Sequence, residues 1–349
     1  MAQIFTLACP VPLPAGERVL LGHGSGGRLS ADLLRDVFFS AFRSPILAQL
    51  EDQATLDIGG VRLAFTTDSF VVKPLFFRGG NIGSLSVHGT INDLAMGGAL
   101  PLYLSAGFII EEGFPVSSLR LITDAMGRAA NAASVEIVTG DTKVVEKGCG
   151  DGVFINTTGI GLVAPGLNLS AGNARPGDHI LLSGTIGDHG ITILSEREGI
   201  GFDSYLESDS APLHTLVRDM LAVSTRIRCF RDPTRGGLAS TVNEIAGRSG
   251  VGMILHEVDI PVRDEVNGAC EMLGLDPLYV ANEGKLVAIV PPEDSDAVLE
   301  AMLRHPLGAN AARIGVVTES HTGMVVIRTP FGTSRIVDML AGDQLPRIC

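Results

Sequence analysis

The chain has 349 residues, 45 % of them hydrophobic, and a formal net charge of −13. That is ample material for a core, and the acidic balance argues against nucleic acid or an anionic membrane surface as a partner. Glycine is abundant at 43 residues, so many backbone positions either approach a neighbour closely or take φ > 0, while five dispersed cysteines at 9, 149, 229, 270 and 349 with no CxxC argue against a disulfide framework or zinc site and point to a reducing compartment.

Taken in chain order, residues 1–20 are Pro-rich and read as an extended arm. They hold no basic segment followed by an apolar stretch, so no signal peptide is expected. Strands are predicted at 62–67, 102–110, 135–138 and 153–163. Between them, Leu119, Ile122, Met126, Ala129 and Ala133 fall three and four apart, which is one face of a helix over 116–133, with Pro115 suited to its first turn. The longest apolar run, 98–110, contains Pro101 and is too short to span a bilayer. The stretch 164–177 turns to loop, which places a boundary between a domain at 21–170 and a second at 171–341. The second domain repeats the α/β content, with strands at 180–183, 252–256, 286–290, 313–317 and 324–328. Its predicted helices are 237–249, 262–273 and 293–304. Residues 342–349 read as a mobile tail carrying Cys349.

Gly22-His-Gly-Ser-Gly-Gly27 matches GxGxxG, but no acid stands about 20 residues on at the end of a second strand, so a dinucleotide site is disfavoured. A flexible phosphate loop and a plain turn both remain open. Acidic residues recur in Gly-rich or strand-end contexts: Glu51-Asp52, Asp68, Asn92-Asp93, Gly140-Asp-Thr-Lys143 and Asp232. A carboxylate in such a place commonly holds Mg²⁺ with a polyphosphate, although each acid alone equally reads as a turn residue or helix cap. Lys143 could neutralise charge in phosphoryl transfer or lie on the surface. Glu283, a lone acid meeting an apolar strand, could be a base of raised pKa or pair with Lys285. The eight histidines form no HxH or HxxxH pair and read as surface or hydrogen-bonded residues.

In their order, Gly24-Ser-Gly-Gly27, Thr67-Asp-Ser-Phe70, Asn92-Asp-Leu-Ala-Met-Gly-Gly98, Gly140-Asp-Thr-Lys-Val-Val-Glu146 and Asp232-Pro-Thr-Arg-Gly-Gly-Leu238 resemble the aminoimidazole-ribonucleotide-synthetase-like ATP-binding superfamily. The ending Pro-Arg-Ile-Cys349 is similar to that of the HypE family of hydrogenase maturation factors, and the resemblance runs over essentially the whole chain. It implies a two-domain α/β PurM-like fold in which the N-terminal sheets of two subunits pair into a homodimer, with ATP near that interface.

It further implies that the last cysteine receives a carbamoyl group from the carbamoyltransferase HypF. ATP-dependent dehydration then gives a thiocyanate, and the cyano group passes to iron on the HypC–HypD complex. On this resemblance Cys349 is the carrier, Lys143 the electrophile and Glu283 the base. Asp52, Asp93 and Asp232 are the Mg²⁺ candidates. Asp68, Asn92, Gly140, Asp141 and Thr142 are placed at the nucleotide. The setting is cytoplasmic, with neither nucleic acid nor membrane as partner. Two alternatives stand beside it: a sibling phosphotransferase resembling selenophosphate synthetase, for which Cys9 is available but no lysine precedes Lys73, and a non-catalytic scaffold whose nucleotide controls tail exposure.

Overall fold

The computed structural model describes residues 18–199, 206–342 and 347–349. Most of the expected arm, with Cys9, and residues 343–346 of the tail lie outside the described residues. Among the described residues every cysteine is free.

After a short turn at Leu21–Gly24, α1 (Arg28–Leu33) runs through a π-helical stretch (Leu34–Phe39) into α2 (Ser40–Phe42). The first sheet is built from β1 (Ala54–Ile58), β2 (Val61–Phe70), β5 (Ala99–Glu111), β6 (Glu136–Val145) and β7 (Val153–Val163), in the order β1-β2-β7-β5-β6. A two-stranded ribbon, β3 (Phe76–Phe77) with β4 (Gly80–Asn81), precedes α3 (Ile82–Met96); α4 (Val116–Ala132) links β5 to β6. Burial along β7 alternates residue by residue, with Val153, Ile155 and Thr157 turned inward. That period of two gives the sheet one face on the helices and one face free.

The segment 88–98, for which the sequence offered only a Gly-rich context around Asn92-Asp93, is the interior and end of α3. This helix is buried nearly all round, packed between the first sheet, α4 and a helix of the second half at His214–Val223, so it lacks the one-sided stripe that marks a surface helix. Gly83 lets α3 sit against α4, because a Cβ there would lie 2.3 Å from the Ile122 carbonyl oxygen.

The second half begins at β8 (His179–Leu182) and continues through α5 (Asp188–Glu198), α6 (His214–Val223), β9 (Cys229–Arg231), α7 (Gly237–Ser249), β10 (Gly252–His256), α8 (Asp264–Leu273), β11 (Val287–Val290), α9 (Pro292–Arg304), β12 (Ala312–Thr318), β13 (Val325–Arg328) and β14 (Ser334–Val337). Its sheet has the order β14-β13-β10-β12-β8-β11-β9. Ile180 and Leu182 pack on the α7 side while Leu181 packs with α6 and α9. Burial on both faces explains why these strands read as unbroken apolar runs rather than alternating ones.

The close α3–α4 contact predicts that Gly83→Ala is destabilising even though alanine favours helix by about 1 kcal/mol. We expect a loss of about 2–4 kcal/mol from the forced separation, read by urea unfolding; an unchanged midpoint would contradict the contact.

Candidate active site

Five carboxylates converge at the seam between the two halves. Asp52 precedes β1, Asp68 lies on β2, Asp93 on α3, Asp232 just after β9 and Glu283 just before β11. Burial raises the pKa of every one of them, and mutual repulsion adds to it for Asp93, with Asp232, Asp68 and Asp52 all contributing. Asp232 is pushed up to about 6. Thr66 Oγ1 lies 2.8 Å from Asp93 Oδ2 and 3.0 Å from the Asp52 carbonyl. The Thr66 hydroxyl donates to Asp93 and so opposes, without overcoming, the upward push of burial and the neighbouring acids. Glu283 is 3 % exposed, and its Oε1 has no hydrogen-bond partner.

Two arginines face this charge. Arg231 pairs with Asp52 at 3.3 Å and with Glu244. The adjacent Glu51 reaches Arg231 only at 3.9 Å and is held by Arg248 at 2.9 Å and Ser170 at 2.7 Å, which leaves Asp52 as the acid of that pair facing the cluster. Arg235 stands in the turn leading to α7, where its position near Cys349, Asp68, Glu283 and Asp93 raises its pKa against the opposing effect of burial. The glycine loop fixes that turn from outside. Arg235 donates to the Gly24 carbonyl at 3.1 Å, and a Cβ on Gly26, whose φ is +76°, would come within 2.7 Å of the Arg235 carbonyl oxygen. On its other side the loop meets the segment leading to the tail, with Arg28 N–H donating to Leu340 O at 2.8 Å.

The end of the chain is docked into the seam. Ile348 is buried among Phe77, Ile193 and Ala281. Cys349 accepts from Val71 N–H at 2.9 Å and Arg347 from Lys73 N–H at 3.1 Å through main-chain oxygens. The Arg347 side chain pairs with Asp151, and its residue takes a left-handed φ of 56°. Burial pushes the Cys349 thiol up to about 12, Glu283 and Asp68 push the same way, and Arg235 opposes them. As a neutral thiol it is a weak nucleophile; the docked position suits a group already attached to sulfur.

The remaining sequence candidates are placed differently. Asn92 is buried and spends its amide on backbone: it donates to Ala211 O at 3.1 Å and Glu283 O at 2.9 Å, and accepts from Leu213 N–H at 2.8 Å. It therefore holds the Glu283 segment against α3. Gly140, Asp141, Thr142 and Lys143 lie on the edge strand β6. Asp68 and Gly140 share a row, Asp68–Thr157–Ala106–Gly140, three strand spacings or about 14 Å apart. Lys143 pairs with Asp141 at 2.7 Å, both 68 % exposed. Within one chain Lys143 and the acidic seam do not meet.

Arg235 was legible only as part of the Asp232–Leu238 motif, and no role was read for it. His189, which touches the tail, looked like any scattered histidine.

The N-terminal domain model of AIR synthase related proteins matches residues 50–163 and the C-terminal domain model matches residues 175–328. "Carbamoyl dehydratase HypE" of Cupriavidus necator is 58 % identical over 341 residues, 97 % of each chain. The structure of a HypE–HypF complex superposes with a TM-score of 0.85 at 50 % identity, covering 88 % of this chain and 99 % of that one. A hydrogenase maturation protein HypE in complex with ATP gives a TM-score of 0.81 at 50 % identity, covering 95 % of this chain and 100 % of that one.

The buried acids carry a stability consequence. Asp232 binds its proton more tightly folded than unfolded, so its contribution falls as pH rises from 3.8 to about 6, and the cost is fully present at neutral pH. Asp232→Asn should stabilise the protein free of nucleotide and divalent cation by roughly 3 kcal/mol at pH 7, with the gain shrinking toward pH 4. Urea unfolding at both pH values checks this; a less stable variant at pH 7 would contradict it.

Proposed function

We propose that this chain, which belongs to the AIR-synthase-related family and within it to the carbamoyl dehydratases named HypE, dehydrates an S-carbamoyl group on its own Cys349 to a thiocyanate with ATP. The product supplies the cyanide ligand for the iron of [NiFe]-hydrogenase during maturation. One observation carries the reading: the last cysteine is docked by its main-chain oxygen onto Val71, within the fields of Arg235, Glu283 and Asp68 at a seam of buried acids. HypF is the partner that loads the carbamoyl group and the HypC–HypD complex the one that receives the cyano group. The cytoplasm, where cysteines stay reduced, is the setting.

The amide oxygen of a thiocarbamate is a poor leaving group. The γ-phosphoryl of ATP is transferred to that oxygen and ADP departs, with one N–H proton lost. The C–O bond then breaks, phosphate leaves with the oxygen, and loss of the second N–H proton closes the C≡N bond. Glu283, whose pKa is raised well above the ordinary carboxylate value, is the base, because a base of pKa nearer neutrality balances availability against strength. Arg235 offsets charge at the oxygen.

Asp52, Asp93 and Asp232 would hold Mg²⁺. Their carboxylates crowd one another, which a hard cation relieves. Mg²⁺ needs only one or two of these carboxylates, because it keeps water and takes phosphate oxygens. When bound, Mg²⁺ would offset charge on the transferred phosphoryl group.

The free face of the first sheet exposes Phe65, Tyr103, Ile109, Ile160 and Leu162, and β6 leaves one edge unpaired beside exposed Val138. A patch of this kind marks a protein interface, and pairing with a second copy forms the homodimer. Lys143, out of reach of its own Cys349, acts from the other subunit as the electrophile. Asp141 and its neighbours Gly140 and Thr142 reach the nucleotide in the same way.

Two measurements check this. Carbamoylated protein given Mg-ATP should lose one water from its last peptide by intact mass, and Glu283→Gln should slow that loss by about 10²–10⁴-fold; ATP turnover with an unchanged tail would contradict the reading. Mixing Lys143→Ala subunits with Cys349→Ala subunits should restore dehydration that neither shows alone. No restoration in verified mixed dimers would place Lys143 elsewhere.

A further inference from the structure

His189 lies in the first turn of α5 and is 0 % exposed. Its Nε2 stands 2.7 Å from the main-chain oxygen of Ile348, and its Nδ1 stands 2.7 Å from Ser208 Oγ. The Phe77 ring meets it edge-on at 5.7 Å. A carbonyl oxygen only accepts, so Nε2 carries the proton. In the neutral ring Nδ1 then accepts from the Ser208 hydroxyl, whose oxygen in turn accepts from Ser210 N–H at 3.2 Å. Burial keeps the imidazole neutral, so this chain of bonds fixes one tautomer and one ring orientation.

The same segment is gripped at its other carbonyls. Arg197 donates to Arg347 O at 2.7 Å and to Lys73 O at 3.0 Å. Arg347 Nε reaches back to Val71 O at 3.1 Å.

We infer that His189 is a positioning residue for the reaction at Cys349: by donating Nε2–H to the Ile348 carbonyl it sets the register in which the docked tail presents its sulfur. The tail is thus recognised largely through its main chain, with the Ile348 side chain as the apolar anchor. A one-residue slip would displace the sulfur by roughly 3.3 Å, well beyond the ~1 Å at which misplacement already costs on the order of a hundredfold in rate.

This inference rests on the proposed reaction at Cys349, and the experiment separates the two. In single-turnover dehydration of carbamoylated protein, His189→Ala should be slower by roughly ten- to a hundredfold with Mg-ATP affinity unchanged. His189→Gln, whose side-chain amide still donates toward the Ile348 carbonyl, should recover most of the rate. In unmodified protein, N-ethylmaleimide should label Cys349, mapped on the last peptide, faster in His189→Ala than in wild type or His189→Gln.

Wild-type dehydration by His189→Ala, or a glutamine variant as slow as the alanine one, would overturn the inference. So would unchanged labelling of Cys349, which needs no turnover at all. Should His189→Ala fail to fold, Ser208→Ala frees the tautomer while keeping the ring; it should label faster and turn over more slowly, and no change in both would equally overturn it. Wild-type protein that loses no water with Mg-ATP would instead sink the proposed reaction.

Discussion

Asp52, Asp68, Asp93, Asp232 and Glu283 are buried within one another's fields, with Arg231 and Arg235 as the cations set among them. Isolated ionised carboxylates do not tolerate burial, so ionising these groups here carries a cost that compensating positive charge relieves. That requirement orders the rest of the seam. The two halves of the chain must meet there, because Asp68 and Asp93 come from the first and Asp232 and Glu283 from the second. Asn92 bridges the halves through three backbone contacts, and the glycine loop braces Arg235 from behind. A site so charged favours a magnesium-bound polyphosphate over a free anion.

The docked tail adds the reacting atom to this field. Its described residues gain main-chain hydrogen bonds at about 1 kcal/mol each and the burial of one isoleucine at roughly 2–3 kcal/mol. Ordering three residues costs about 1–2 kcal/mol per backbone plus side-chain freedom. The balance lies within a few kcal/mol of zero. Docking is therefore reversible, as a carrier must be if it is loaded by one protein and emptied by another.

Much of the fold was legible. β7 and α7 fall where alternation or helical spacing put them, because each has a single solvent-facing side or clear terminal signals. α3 escaped because it is buried all round and carries Gly, Thr and Asn, which weaken any helical signal. β9 spans three residues, Cys229–Arg231, too few for a pattern. At the site, the acids of the seam and Cys349 could be named from their motifs. The placement of Asn92 and Lys143 could not, since a sequence does not say which amide will be consumed by backbone or which strand will end a sheet. His189 gave no signal, as its role depends on a carbonyl 159 positions away.

The account makes the departing oxygen of the carbamoyl group leave as phosphate, through transfer of a phosphoryl group onto it in the seam. Carbamoylated protein carrying oxygen-18 in that position, turned over once with Mg-ATP, tests this directly. The account predicts that the label appears in inorganic phosphate as the nitrile forms. Label recovered in water, with phosphate unlabelled, would contradict it.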